Sequence, residues 1–374
     1  MESGNRGLLC PQDNGCFSLS NVFSLELILV FSGWLLLNIS LTYYNKYVLS
    51  MTHFHFPFLL TAVNKLVGFI VALAVLHCNS KLPSPAEAFK QHGGRWIVHV
   101  QGVSTALNIG LNNWSLMLIS LTLNQVIKAT QPLPTALLSF IVECKVYSWQ
   151  LYASMTVLVG GCTLLVLGPS AGQHESIAGL LICIGSVAAC ASWTVLSAVL
   201  MQSGEKPLDA VSLVVVSGPA CLITLLIFFL AIDVPRMLSD GLSSSVPPAW
   251  LMLLYLGGSA GLGSAYDIVH NQFIKLTSSM NMAVMGNTKL VLLVLLSMFT
   301  LEGSPSALRI AGVLIALGGI VWYAVYNVQE RQAKEKAAKA AASAAADGVD
   351  DEKVDVATEQ AEKKPDESTP LKSS

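Results

Sequence analysis

Residues 121–142 read LTLNQVIKATQPLPTALLSFIV, a run long enough to cross the ~30 Å hydrocarbon core of a bilayer as a helix. A lysine, Lys128, nevertheless stands near its middle, where insertion scales charge about 2.5 to 3.5 kcal/mol. Asn124, Lys128, Gln131 and Thr135 recur at i, i+4, i+7 and i+11 and so share one helical face. Pro132 and Pro134 follow the lysine and interrupt the backbone ladder, which is tolerated at that depth only against packed protein or a water-filled cavity. A span with these features belongs in a helical bundle that encloses an aqueous site.

The rest of the chain agrees with this span. Of 374 residues 53% are hydrophobic and 12% charged, and the mean hydropathy is +0.61, which excludes an ordinary water-facing surface. Apolar runs of spanning length occur at roughly 23–43, 54–77, 96–118, 121–142, 149–168, 176–201, 208–232, 249–270, 276–300 and 305–327. The expected fold is an all-α integral membrane protein of about ten transmembrane helices. A weak repeat pairs its halves: Phe140-Ile141-Val142-Glu143 with Gly160-Gly161 is echoed by Phe299-Thr300-Leu301-Glu302 with Gly318-Gly319. Five spans per half is an odd number, so the repeats would be inverted, a common transporter plan with the solute held near the midplane.

The expected organisation is a short cytosolic lead at 1–22, repeats at 23–168 and 169–328, and a disordered charged cytosolic tail at 329–374. Lys81, Lys90, Arg95, Lys145, Lys206 and Lys275 then fall on the cytosolic side against Lys46, Arg236 and Arg309 opposite, which favours both termini inside. The eight cysteines, Cys144 among them, form no C-x-x-C pair and are read as small core residues.

Three lysines deep in apolar runs, Lys65, Lys128 and Lys289, are the strongest functional signal. Glu26, Glu143, Asp267 and Glu302 all fall toward the ends of their expected spans, so no carboxylate matches the lysines in depth. Buried cations without counter-charges imply a cavity that receives an anion; snorkelling or an unrecognised ion pair is the alternative, most of all for Lys65. Gln101, Ser104, Asn108, Asn112 and Ser115 form a second polar stripe, and Asn287 neighbours Lys289 in Gly286-Asn287-Thr288-Lys289. Tyr255 and Tyr266 add aromatic donors on one face of the eighth span, although interfacial or core roles suit a tyrosine equally. Asn38-Ile39-Ser40 and Asn113-Trp114-Ser115 match the glycosylation pattern but lie inside spans. The chain contains no phosphate-binding P-loop, no H-E-x-x-H or cysteine zinc signature and no G-x-S-x-G elbow, so neither an ATP-driven pump nor an enzyme is indicated.

Tyr44-Asn45-Lys46, Asn124-Gln125 with Lys128-Ala129-Thr130 and Pro132, and Gly286-Asn287-Thr288-Lys289, in this order, resemble the triose-phosphate/nucleotide-sugar translocator branch of the drug/metabolite transporter superfamily over roughly residues 23–327. The resemblance implies a ten-helix antiporter of two inverted repeats that exchanges a phosphorylated solute for phosphate or a nucleoside monophosphate. It also implies that Lys128 and Lys289 meet the substrate phosphate. Plastid relatives carry an arginine after the second lysine where this chain has Leu290, which favours the endomembrane members.

The expectation is therefore a nucleotide sugar:nucleoside monophosphate antiporter of the Golgi or a related endomembrane. The plastid envelope is the less favoured location. A sugar-phosphate or phosphoenolpyruvate/phosphate exchanger is the alternative, and a non-transporting membrane scaffold the remote one. The expected substrate-binding residues are Lys128, Lys289, Asn124, Gln131, Thr135, Asn108, Asn112, Asn287, Tyr255, Tyr266 and Lys65. The partners are the solute, its counter-substrate and the lipid bilayer, with a homodimer left open. No nucleic acid, metal or cofactor is expected.

Overall fold

Helices account for the regular structure of the computed structural model, which describes residues 25–52, 54–79, 82–119, 121–166, 176–203, 206–239, 248–289, 292, 307–308, 310–330 and 332–333. The elements are α1 (Leu25–Met51), α2 (Pro57–Cys78), α3 (Pro85–His92), α4 (Trp96–Leu118), α5 (Leu121–Ala129), α6 (Pro132–Val142), α7 (Trp149–Val166), α8 (Ile177–Gln202), α9 (Ala210–Phe228), α10 (Val234–Ser239), α11 (Ala249–Leu276) and α12 (Ser279–Met285). A last helix, α13, runs over Ile310–Glu330. The chain divides between Ile320 and Val321 into a helical bundle and a second unit, whose first residues continue as helix. The lead at 1–22, the Phe299–Glu302 half of the repeat, Leu290 and the tail beyond residue 333 lie outside the described residues.

Among the described residues five stretches are long and apolar enough to cross a membrane: Leu25–Leu49, Pro57–Cys78, Ile177–Gln202, Ala210–Leu238 and Ile310–Glu330. The bundle centres on α2, α4, α8, α9 and α11, with α4 against α8 the most extensive pair. Without a hydrophobic drive between helices in lipid, close approach depends on small residues. Gly263 of α11 meets the Asn64 side chain of α2 directly, and Gly161 of α7 lies against the Ala316 backbone of α13. A Cβ on Gly319 would in turn stand 2.7 Å from the Leu158 nitrogen, so one glycine from each of the two repeated pairs lies in the same helix contact.

Two features position the cavity. α1 continues to Met51, beyond its expected end, and carries Lys46 to the C-terminal carbonyls of α4, where Nζ donates to Leu116 O at 2.6 Å and Ile119 O at 3.3 Å. α2 starts at Pro57, and its free Leu59 N–H donates to Asp233 Oδ2 at 2.8 Å, a helix start capped from a different span. Cys144, after α6, is disulfide-bonded and has a positive φ of 53°, which corrects its reading as a small core residue.

Candidate functional site

The fourth span breaks where its sequence demands. Pro132 has no N–H for the ladder, so α5 ends at Ala129 and α6 restarts at Pro132. Tight bonds bridge the gap, Thr130 N to Ile127 O and Gln131 N to Lys128 O, each 3.1 Å. The carbonyl of Ala129, released by the break, accepts from Asn287 Nδ2 at 2.9 Å. Asn287 sits in a second break, because α12 stops at Met285 and Gly286-Asn287 forms a turn before Lys289. Each break therefore has a lysine beside it, and one asparagine side chain joins them.

Both lysines line a single cavity, together with Trp34, Asn38, Asn108, Asn112, Gln131 and Tyr266. Asn287 and Lys65 line it too, so eight of the eleven expected binding residues lie around one space. The other three do not. Asn124, 0% exposed, lies behind the wall and donates to Asn112 Oδ1 at 3.2 Å and Ser115 Oγ at 2.8 Å, thereby fixing Asn112. Thr135 is displaced by the helix break and donates to its own helix at Gln131 O, 2.9 Å away. Tyr255 shares a face with Tyr266 but lies about 16 Å away along the helix axis, in an apolar cluster with Val48, Phe54 and Tyr44.

Lys65 requires a correction. Its ammonium contacts both carboxylate oxygens of Asp267 at 2.5 Å. α11 runs to Leu276 rather than to about residue 270, so Asp267 lies well inside the helix and level with Lys65. A paired lysine is neutral toward a ligand at longer range. Lys128, by contrast, has no hydrogen-bond or ion-pair partner among the described residues. Lys289 donates only to the neutral Asn38 Oδ1, at 2.8 Å. Among the described residues the cavity thus holds one compensated charge pair and two cations without acid partners, an arrangement suited to a group bearing two negative charges.

An aromatic wall continues from Asn38. Its Nδ2 donates to Tyr266 OH at 3.4 Å, and Tyr266 OH lies 3.1 Å from His270 Nδ1. Trp34 Nε1 donates to the same nitrogen at 3.1 Å, and Trp193 stacks on the His270 ring at 4.0 Å between centroids, 8° from parallel. None of Trp34, Asn38, Trp193 and His270 was singled out as a binding residue from sequence. The signal was present in the spacing, since Trp34 and Asn38 are four apart in α1 and Tyr266 and His270 four apart in α11.

Glu143, just past the end of α6, contacts the first residue of α12. Ser279 Oγ donates to Glu143 Oε2 at 2.9 Å, and Lys145 Nζ lies 3.5 Å from Oε1. Burial, then the Glu143 charge, push the Tyr147 phenol above its usual range.

Comparison with known proteins places this geometry. The chain is 26% identical to a probable sugar phosphate/phosphate translocator of Arabidopsis thaliana, over 82% of this chain and 83% of that protein. It is 27% identical to UDP-uronic acid transporter 1 of the same plant, over 78% and 92%. With UDP-galactose transporter 1, also from Arabidopsis thaliana, identity is 25% over 79% and 85%. A solved crystal structure superposes with a TM-score of 0.56 at 18% identity, covering 80% of this chain and 97% of that one, which shows a shared fold. The model of the Triose-phosphate Transporter family matches residues 25–324, and the chain belongs to that family of membrane transporters.

Proposed function

We propose that the protein is an antiporter of a phosphorylated solute, a nucleotide sugar exchanged for a nucleoside monophosphate, with Lys128 and Lys289 as the phosphate ligands. The observation that carries this reading is two cations without counter-charges among the described residues, at the two helix breaks that line one cavity. Asn108, Asn112, Gln131, Asn287 and Tyr266 surround the lysines and supply hydrogen bonds to sugar and base. The similarity to UDP-uronic acid and UDP-galactose transporters supports a nucleotide sugar; the similarity to sugar phosphate/phosphate translocators supports the second reading, a sugar-phosphate/phosphate exchanger.

The proposed architecture is ten spans in two inverted repeats, 23–168 and 169–328. The paired helix breaks and the contact of Gly161 and Gly319 between α7 and α13 support it. Exchange follows energetically, because an empty cavity leaves two cations facing each other and a bound anion relieves them before reorientation. The endomembrane location belongs to the same proposal.

Thermal stabilisation of the purified protein separates the two readings. A ligand at one hundred times its Kd adds about 2.7 kcal/mol. UMP, GMP or CMP and their sugar conjugates should raise the melting temperature in wild type and fail in Lys128→Ala and Lys289→Ala. Stabilisation by hexose phosphates and inorganic phosphate alone would transfer the assignment to the sugar-phosphate exchanger.

A further inference from the structure

His270 is a buried ring whose protonated nitrogen follows from its neighbours. A lysine ammonium only donates, so the Asn38 atom 2.8 Å from Lys289 Nζ is the amide oxygen, and the NH₂ end faces Tyr266 OH. Tyr266 OH lies 3.1 Å from His270 Nδ1 and donates there only if that nitrogen is unprotonated. The Trp34 indole N–H, which is also only a donor, reaches the same nitrogen at 3.1 Å. Nδ1 is thus an unprotonated acceptor, and the neutral imidazole carries its proton on Nε2.

That Nε2–H has no partner among the described residues. His270 is 2% exposed, and Nε2 is buried without a hydrogen bond. A donor left unmade in such a place is costly, so its retention needs a reason. Stacking on Trp193 and the two donors at Nδ1 hold the ring plane and deny it the flip that would exchange the nitrogens. The ring lines the same cavity as Lys128 and Lys289.

We propose that His270 is a solute-binding residue, whose neutral Nε2–H donates to an oxygen of the transported phosphorylated solute. This rests on the reading of the cavity as the solute site and deepens it. His270 supplies direction rather than charge, because an imidazolium would lose the bonds from both Trp34 and Tyr266. The acceptor is a phosphate oxygen or a sugar hydroxyl, which share the same chemistry at this donor.

The direct test is the ¹⁵N spectrum of full-length protein labelled at its histidine rings, with His270→Gln identifying the resonances. Before any solute is added, Nε2 should show the protonated signature and Nδ1 the unprotonated one. Saturation with inorganic phosphate, glucose 6-phosphate or UDP-glucose should then shift the Nε2 signal. A shift with phosphate alone identifies a phosphate oxygen as acceptor; a shift only with the sugar-bearing solutes identifies a hydroxyl. In exchange assays His270→Phe should raise KM about tenfold, with a smaller change in maximal rate, and His270→Gln, which returns an N–H near Nε2, should recover most of it. Should the Phe variant not fold, the wild-type spectrum still decides. A proton on Nδ1 overturns the proposal. So does an unmoved Nε2 signal with a solute that stabilises wild type but not Lys128→Ala, and in that case the cavity reading survives. If none of the three solutes stabilises wild type, the cavity reading falls and the proposal with it.

Discussion

Lys65 and Lys128 bring the same charge to the same cavity, and their surroundings separate them. Lys65 is answered by Asp267 at 2.5 Å, whereas Lys128 meets no acid among the described residues. Removing either member of the buried pair leaves the other charge uncompensated, at about 3 to 5 kcal/mol. Lys65→Met and Asp267→Leu should each lower the melting temperature sharply, and the double variant should regain most of the loss; additive losses would contradict the pairing. Lys128→Ala should leave stability nearly unchanged and weaken solute binding by at least about thirtyfold. The cations of Lys128 and Lys289 were legible in the sequence because a charge in an apolar run is costly without a partner. The pairing of Lys65 stands in the sequence only as an alternative, because hydropathy ends that run near residue 270 whereas α11 continues to Leu276. Asn38 was dismissed as an unused glycosylation match, yet it is the partner of Lys289.

Among the elements, the two broken helices depend on each other. Asn287 donates to the Ala129 carbonyl freed by the Pro132 break. Asn287→Ala should therefore cost about 1 to 3 kcal/mol through one unsatisfied buried carbonyl, read as a lower melting temperature with both lysines intact; Asn287→Asp cannot donate and should not rescue it. Outside the membrane, α3 starts with a capping box between Ser84 and Glu87 and ends at His92. Burial, then Arg95 and Lys206, hold the His92 pKa below its usual value. A base whose folded pKa is depressed binds fewer protons folded than unfolded, so its contribution is present above the unfolded pKa of about 6.5 and is lost as pH falls below it. Melting temperatures measured from pH 7.5 to 5.5 should fall less steeply in His92→Gln than in wild type. The breaks could be read from Pro132 and from Gly286, whereas the bond between them could not, since sequence spacing carries no information on contacts between residues 129 and 287.

For the whole molecule, the proposed antiport follows if two cations without acid partners among the described residues make the empty carrier costly to reorient. The membrane character followed from hydropathy. The arrangement of the cavity wall did not, because Trp34, Trp193 and His270 come from three separate spans and their convergence is a property of packing. Exchange should accordingly require solute on both sides, and the most direct measurement is uptake of labelled nucleotide sugars into proteoliposomes with and without internal UMP, GMP or CMP. Uptake that accelerates with an internal nucleoside monophosphate and disappears in Lys128→Ala and Lys289→Ala is the predicted result. Equal uptake into loaded and empty vesicles, or unchanged uptake in both lysine variants, would contradict it.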